Sequence, residues 1–154
     1  MIEQIIFYWV GDKIKIPELL VKSARIIYKD EIKIIQISDI LTGKISSVDE
    51  VIRIKPTGNL MTDRLLGYSK IKTINTSSLF IDADTLCLNK VNFKEYFDGI
   101  YLAKRTINPM INHNFPQHYP EFEKKYFNEV MPYLAGIVLI KSFKNFFLDC
   151  YELL

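Results

Sequence analysis

Ser78-Leu79-Phe80-Ile81-Asp82-Ala83-Asp84-Thr85-Leu86-Cys87-Leu88 places two carboxylates one residue apart at the end of an apolar run. Leu79, Phe80 and Ile81 read as a buried strand, and Leu86, Cys87 and Leu88 resume it beyond the aspartates. Charged side chains are rare inside such a run unless a partner compensates their burial. A divalent cation is one such partner, because hard oxygen ligands close together on an extended chain can share one Mg²⁺ or Mn²⁺. A bare Asp-x-Asp also fits a turn with two solvated aspartates. The apolar segments on both sides favour the site.

Upstream, Ile5-Ile6-Phe7-Tyr8-Trp9-Val10 is a continuous apolar and aromatic run ended by Gly11-Asp12, which predicts a buried first strand with a turn at its carboxyl end. Pro17 sits where a helix can start, and Leu19, Leu20, Ser23, Ala24, Ile27 and Tyr28 recur with helical spacing. Ile32 to Ile37 predicts a second strand and Val48 to Ile54 a short third one. Asn59 can cap a helix from Leu60 to about Lys72, with an apolar face of Leu60, Leu65, Leu66, Tyr68 and Ile71. Downstream, Ile100 to Ala103 and Leu134 to Ile140 read as strands, Glu121 to Phe127 as a helix, and Lys144 onward as the start of another. Strands alternating with helices predict an α/β fold, a mostly parallel sheet covered on both faces. Ligands bind such sheets outside the carboxyl ends of the strands, where Trp9-Val10 and Asp82-Ala83-Asp84 both fall.

The bulk composition narrows the class. A chain of 154 residues with 49% hydrophobic and 25% charged residues is one globular domain with a real core. Its net charge of +2 is spread, and no basic cluster is dense enough for nucleic acid. Two cysteines, Cys87 and Cys150, make no disulfide scaffold and predict reduced thiols in a cytoplasmic protein. Glu3 interrupts the opening, and the run from Ile5 to Val10 is too short for the apolar region of a signal peptide. No stretch approaches the roughly 20 apolar residues of a membrane span, which leaves peripheral association open.

Four motifs in order resemble the GT-A glycosyltransferases, in particular the group with the sugar-binding DXD motif and more loosely the family-8 retaining transferases. Ile5-Ile6-Phe7-Tyr8-Trp9-Val10-Gly11 is similar to the opening strand of that group, and the resemblance implies that Trp9, with Val10 beside it, receives the nucleotide base. Thr62-Asp63-Arg64-Leu65-Leu66 matches a helix that holds an acidic residue and an arginine near the donor. Arg64 becomes by that likeness a sugar or phosphate ligand and Asp63 a sugar-hydroxyl acceptor. Phe80-Ile81-Asp82-Ala83-Asp84 is the motif itself, with Asp82 and Asp84 as metal ligands and Asp82 also at the donor. Tyr133-Leu134-Ala135-Gly136-Ile137-Val138-Leu139-Ile140 looks like a late strand in which Gly136 permits close approach of the ligand.

The resemblance implies a single domain over residues 1–154, lacking the usual C-terminal part, that binds a UDP- or GDP-linked sugar with Mn²⁺ or Mg²⁺. The implied reaction is glycosyl transfer to a glycan, lipid-linked or protein acceptor, with the metal stabilising the departing diphosphate. His113 and His118 are more simply surface residues than ligands, and Glu121, Glu123 and Glu129 are available carboxylates of which none is singled out as a base. Two other readings stand beside this one. Phe80-Ile81-Asp82-Ala83-Asp84-Thr85-Leu86 also resembles the haloacid-dehalogenase-like phosphatases, in which Asp82 would be a nucleophile, although there the motif opens its domain. The remaining alternative is a non-catalytic sugar-nucleotide-binding domain.

Overall fold

The computed structural model describes residues 2–91, 98–104, 133–142 and 146–153. In chain order these form β1 (Gln4–Tyr8), α1 (Lys15–Tyr28), β2 (Lys33–Ser38), β3 (Glu50–Arg53), α2 (Leu60–Ser69), β4 (Ser77–Ile81), β5 (Gly99–Lys104), β6 (Tyr133–Lys141) and α3 (Phe146–Glu152). The helix expected over Glu121 to Phe127, together with His113, His118 and Glu129, lies outside the described residues.

The described strands make one six-stranded sheet in the order β3-β2-β1-β4-β6-β5. β3, β2, β1 and β4 run parallel, while β6 pairs antiparallel with both β4 and β5. Only β6 is reversed, so the sheet is mostly parallel, as expected. The chain builds outward from β1 through β2 to β3 and then returns to lay β4 on the other side of β1. Strand order therefore reverses between β1 and β4, and the crevice of an open α/β sheet forms at the carboxyl ends of such a pair.

Both sheet faces are apolar because successive strand residues point to opposite sides. Ile5, Phe7, Leu79 and Ile81 pack with Leu20, Val21, Ala24 and Tyr28 of α1. Ile6, Ile35, Ile37, Phe80 and Val138 face the other way, onto Tyr68 of α2 and Phe147 of α3. There Tyr68, Phe80 and Phe147 form a mutual aromatic cluster with ring centroids 4.5–5.0 Å apart. Asn59 caps α2 as its sequence implies, its Oδ1 accepting from the N–H groups of Met61 at 3.0 Å and Thr62 at 3.1 Å.

Several expectations are corrected. Leu86 to Leu88 do not resume a strand. The Cys87 N–H donates to Ser23 Oγ of α1 at 2.9 Å and the Val91 N–H to Tyr28 Oη at 2.8 Å. The segment is thereby laid across α1, with Leu86 and Leu88 exposed. α2 ends at Ser69, three residues early, and Leu60 is 65% exposed. Tyr68 is buried and Leu65 packs on the core as expected, with Ile71 buried just beyond the helix, while Asp63 and Gly67 also face inward. In α1 Leu20, Ala24 and Tyr28 are buried as expected and Val21 joins them, but Leu19 is 58% exposed.

Gly67 is where α2 meets β2. A Cβ there would overlap Cγ2 of the fully buried Ile37 and lie 3.5 Å from its Cδ1. Overpacking of about 1–3 kcal/mol should exceed the roughly 1 kcal/mol that alanine gains over glycine in a helix. Gly67→Ala is therefore expected to lower the urea midpoint, as read by circular dichroism, with little change in slope.

Candidate functional site

Because β1 and β4 are adjacent and parallel, Trp9-Val10 and Asp82-Ala83-Asp84 leave the sheet side by side. α2 crosses the same end, so Leu60 and Arg64 join them. Tyr8, Trp9, Val10, Ile16, Leu60, Arg64, Asp82, Ala83 and Asp84 line one open cleft of about 410 Å³. Trp9, Arg64, Asp82 and Asp84, from three different parts of the chain, thus share one surface.

The Arg64 guanidinium is the electrostatic centre of the cleft. Its Nη2 donates to Asp82 Oδ1 in a short ion pair, and its Nε–H donates to Tyr68 Oη at 3.2 Å. Its Cζ lies 5.4 Å from the centre of the Tyr68 ring. Burial by itself would lower the guanidinium pKa, but the charges and hydrogen bonds of Tyr68 and Asp82 outweigh it and hold Arg64 above its ordinary value. Arg64 is a permanent cation here. Its side chain is 17% exposed, whereas that of Asp82 is 42% exposed and keeps an edge toward the cleft.

Asp82 is aimed by its backbone. Its N–H donates to the Gly136 carbonyl at 2.8 Å, and its own carbonyl accepts from the Thr85 N–H at 3.1 Å, closing the turn that presents Asp84 to solvent. The close approach at Gly136 is made by Asp82 itself. A Cβ on Gly136 would overlap Asp82 Oδ2 and sit 2.8 Å from Cγ. In this structure Gly136 makes room for the aspartate, where the sequence had suggested room for the ligand.

Asp63 points elsewhere. It is 4% exposed, is not among the cleft-lining residues, and its Oδ1 accepts from the Thr57 N–H at 2.6 Å. Its observed work is to tie the loop before α2 to the helix. Tyr8 lines the cleft, and its phenol is pushed up to about 12, first by burial and then by the negative charges of Asp63 and Asp39. Trp9 is half-buried against the α1 side of the core, and its Nε1–H is buried without a hydrogen-bond partner among the described residues. A buried donor left without a partner costs folding stability.

Among the described residues no three His, Cys, Asp or Glu side chains converge on one point. Asp82 and Asp84 still suit a hard divalent cation. They offer carboxylate oxygens one residue apart at an open cleft, and Asp82 already attracts a positive group, the Arg64 guanidinium. Mg²⁺ and Mn²⁺ sites of this kind are completed by water and substrate phosphates. Tyr8, Ile16 and Leu60 were not read as site residues. For Tyr68 the one available signal was its spacing of four from Arg64 on a helix, which also fits simple core packing.

No family model matches the chain, nor does any curated protein. Solved structures do. Galactosyltransferase LgtC, in complex with donor and acceptor sugar analogues, matches with a TM-score of 0.50 and 13% identity, over 97% of this chain and 65% of that one. The chain has the GT-A fold. An active-site mutant of LgtC matches with a TM-score of 0.52 and 14% identity, over 97% and 64% of the two chains. The chain thus spans just under two thirds of the length of LgtC. The expected GT-A architecture is borne out, with Asp82 following the fourth strand of the chain.

Two outcomes follow from this geometry. Gly136→Ala should displace the Asp82 carboxylate, a mobile side-chain end, leaving the protein folded while Mn²⁺ affinity measured by calorimetry falls about 10- to 100-fold. The neutral Tyr8 phenol is favoured by folding, so its contribution to stability is complete below pH 10 and is lost as pH rises toward about 12. Urea titrations across that window should show a shallower alkaline loss for Tyr8→Phe than for the wild type.

Proposed function

We propose that this domain binds a nucleoside-diphosphate sugar, UDP- or GDP-linked, and transfers the glycosyl group to a glycan, lipid-linked or protein acceptor. One observation carries the reading: a GT-A sheet brings Trp9, Arg64, Asp82 and Asp84 to a single cleft at the strand-order reversal. That LgtC was solved with donor and acceptor sugar analogues supports the same class of ligand.

The roles follow from chemistry. Trp9 and Val10 offer a flat, half-apolar ledge at the end of β1, suited to the face of a base. Asp82 and Asp84 would hold Mn²⁺ or Mg²⁺, which when bound supplies Lewis-acid stabilisation of the leaving diphosphate. Arg64 provides a fixed cation whose planar fork fits phosphate oxygens. Ala83 and Ile16 give the cleft apolar walls that strengthen these electrostatic contacts. Asp63 contributes by holding the loop that leads into α2, and a direct contact with a sugar hydroxyl would require it to turn outward. No residue is assigned as a catalytic base. The free thiols of Cys87 and Cys150 fit the cytoplasmic setting. Among the described residues no helix is long and apolar enough to cross a membrane.

The test is calorimetric titration with UDP and with GDP, each with and without Mn²⁺. Metal-dependent binding of one nucleotide is expected, and Asp82→Asn together with Asp84→Asn should abolish it while preserving the far-ultraviolet spectrum. Nucleotide binding unchanged in the double variant would overturn the site. Binding without transfer or hydrolysis of the matching sugar nucleotide would leave a binding domain rather than an enzyme.

A further inference from the structure

We propose that the rim of the cleft is a membrane-docking surface, led by Ile40 and Leu41, that seats on anionic phospholipid. The docking stands on the fold alone. Its consequence, that the acceptor is of the lipid-linked class, rests on the nucleotide-sugar reading.

Ile40 and Leu41 are 80% and 89% exposed, side by side just beyond the carboxyl end of β2. The turn that carries them is clamped from several directions. Asp39 Oδ1 accepts from the Thr42 N–H at 2.7 Å, and Thr42 Oγ1 accepts from the Gly11 N–H at 2.9 Å. The Arg53 guanidinium donates to the carbonyls of Asp39 and Thr42. The buried Gln36 carboxamide donates to the Gly43 carbonyl and accepts from the Ile45 N–H, both at 2.9 Å. These bonds fix the backbone of the turn, and none of them uses the two aliphatic side chains at its tip. A turn already held in place loses little further freedom on docking, so burial of its tip yields nearly the whole apolar gain.

The tip belongs to a larger rim. The Gly11–Thr42 bond joins it to the segment after β1, where Val10, Ile14 and Ile16 are also exposed, and Val10 and Ile16 line the cleft together with the exposed Leu60. Apolar side chains gathered at one end of a domain mark an interaction surface, where singly scattered ones would not.

Charge names the partner. Residues 10–16, 39–44 and 53–61 hold five cations, Lys13, Lys15, Lys44, Arg53 and Lys55, against two anions, Asp12 and Asp39. That is a net +3 in a chain whose whole net charge is +2. In the cleft itself Arg64 offsets Asp82, and Asp84 is the carboxylate assigned to the cation. Lys13 and Lys15 alternate with Ile14 and Ile16. Lysine is depleted at protein–protein interfaces. Lysines interleaved with aliphatic side chains suit a bilayer surface, where ammonium groups meet lipid phosphates and the aliphatic tips enter the acyl boundary. Docking by this rim sets the cleft at the bilayer, beside an acceptor carried on lipid.

The test is co-sedimentation with vesicles of phosphatidylcholine alone and of phosphatidylcholine mixed with phosphatidylglycerol, at low and high salt. It compares the wild type, Ile40→Ser with Leu41→Ser, and Lys13→Gln with Lys15→Gln. Salt-weakened binding to the mixed vesicles is expected. The aliphatic double variant should lose at least about tenfold in affinity and the lysine double variant about three- to tenfold. Mn²⁺-dependent binding of UDP or GDP, read by calorimetry, should stay at the wild-type level in the aliphatic variant. No sedimentation of the wild type with the mixed vesicles overturns the proposal, as does sedimentation that the aliphatic variant leaves unchanged, or equal binding to both kinds of vesicle. A wild-type dimer that light scattering shows becoming monomeric in the aliphatic variant also overturns it, because the occupant is then a second copy of the chain. Nucleotide binding without vesicle binding sinks the docking and leaves the cleft standing. Vesicle binding without nucleotide binding keeps the docking and removes the lipid-linked acceptor. Should the aliphatic double variant lose its melting transition, Leu41→Ser alone decides in its place.

Discussion

Parallel pairing of β1 with β4, with Gln4 beside Ser78 and Ile6 beside Phe80, sets where every group of the cleft lies. The pairing is pinned at its amino end by a buried side-chain contact: the Gln4 carboxamide donates to Ser78 Oγ at 2.6 Å and to the Lys72 carbonyl at 3.1 Å. A polar pair at that depth is satisfied in only one register, because a slip of one residue would bury an unpaired amide and turn every neighbouring side chain to the wrong face. With the register held, Trp9 and Asp82 emerge together. The cleft is a consequence of where the two strands stop.

The second constraint is the company of Asp82. A carboxylate at the mouth of an apolar strand needs donors, and it finds the Arg64 guanidinium on one side and packs on Gly136 on the other. These come from α2 and β6, elements that flank β4 on different sides. The site therefore stands on the packing of two separate segments onto one strand. Arg64 in turn is backed by Tyr68, and Tyr68 by the aromatic cluster with Phe80 and Phe147. Core packing and cleft electrostatics meet in that tyrosine, which is buried and whose phenol is pushed up chiefly by burial.

The segments that sequence patterns described well are those in which one local force dominates. β1 and β4 are short apolar runs with turn residues at their ends, and Asn59 has the one side chain needed to take two orphan N–H groups at the start of α2. The failures have a common origin. Leu86, Cys87 and Leu88 are apolar enough for a strand, but Ser23 of a distant helix takes the Cys87 N–H and Tyr28 of the same helix takes that of Val91 just beyond. Leu60 and Leu19 fit a helical stripe, but which side of a helix meets the sheet depends on where the sheet is. Asp63 and Gly136 were read for their chemistry toward a ligand, and the structure shows them engaged with Thr57 and Asp82.

By itself the sequence determined the alternation of strands and helices, the two carboxylates and the aromatic strand end, the last two within motifs that resemble the GT-A class. These are properties of residue type and spacing within a few turns of chain. Only the tertiary structure decided that Arg64 holds Asp82, that Gly136 makes room for that carboxylate and that Asp63 looks inward. Each of those facts joins residues 6 to 54 positions apart, and contacts at that separation are set by sheet order and helix docking, which no local pattern encodes.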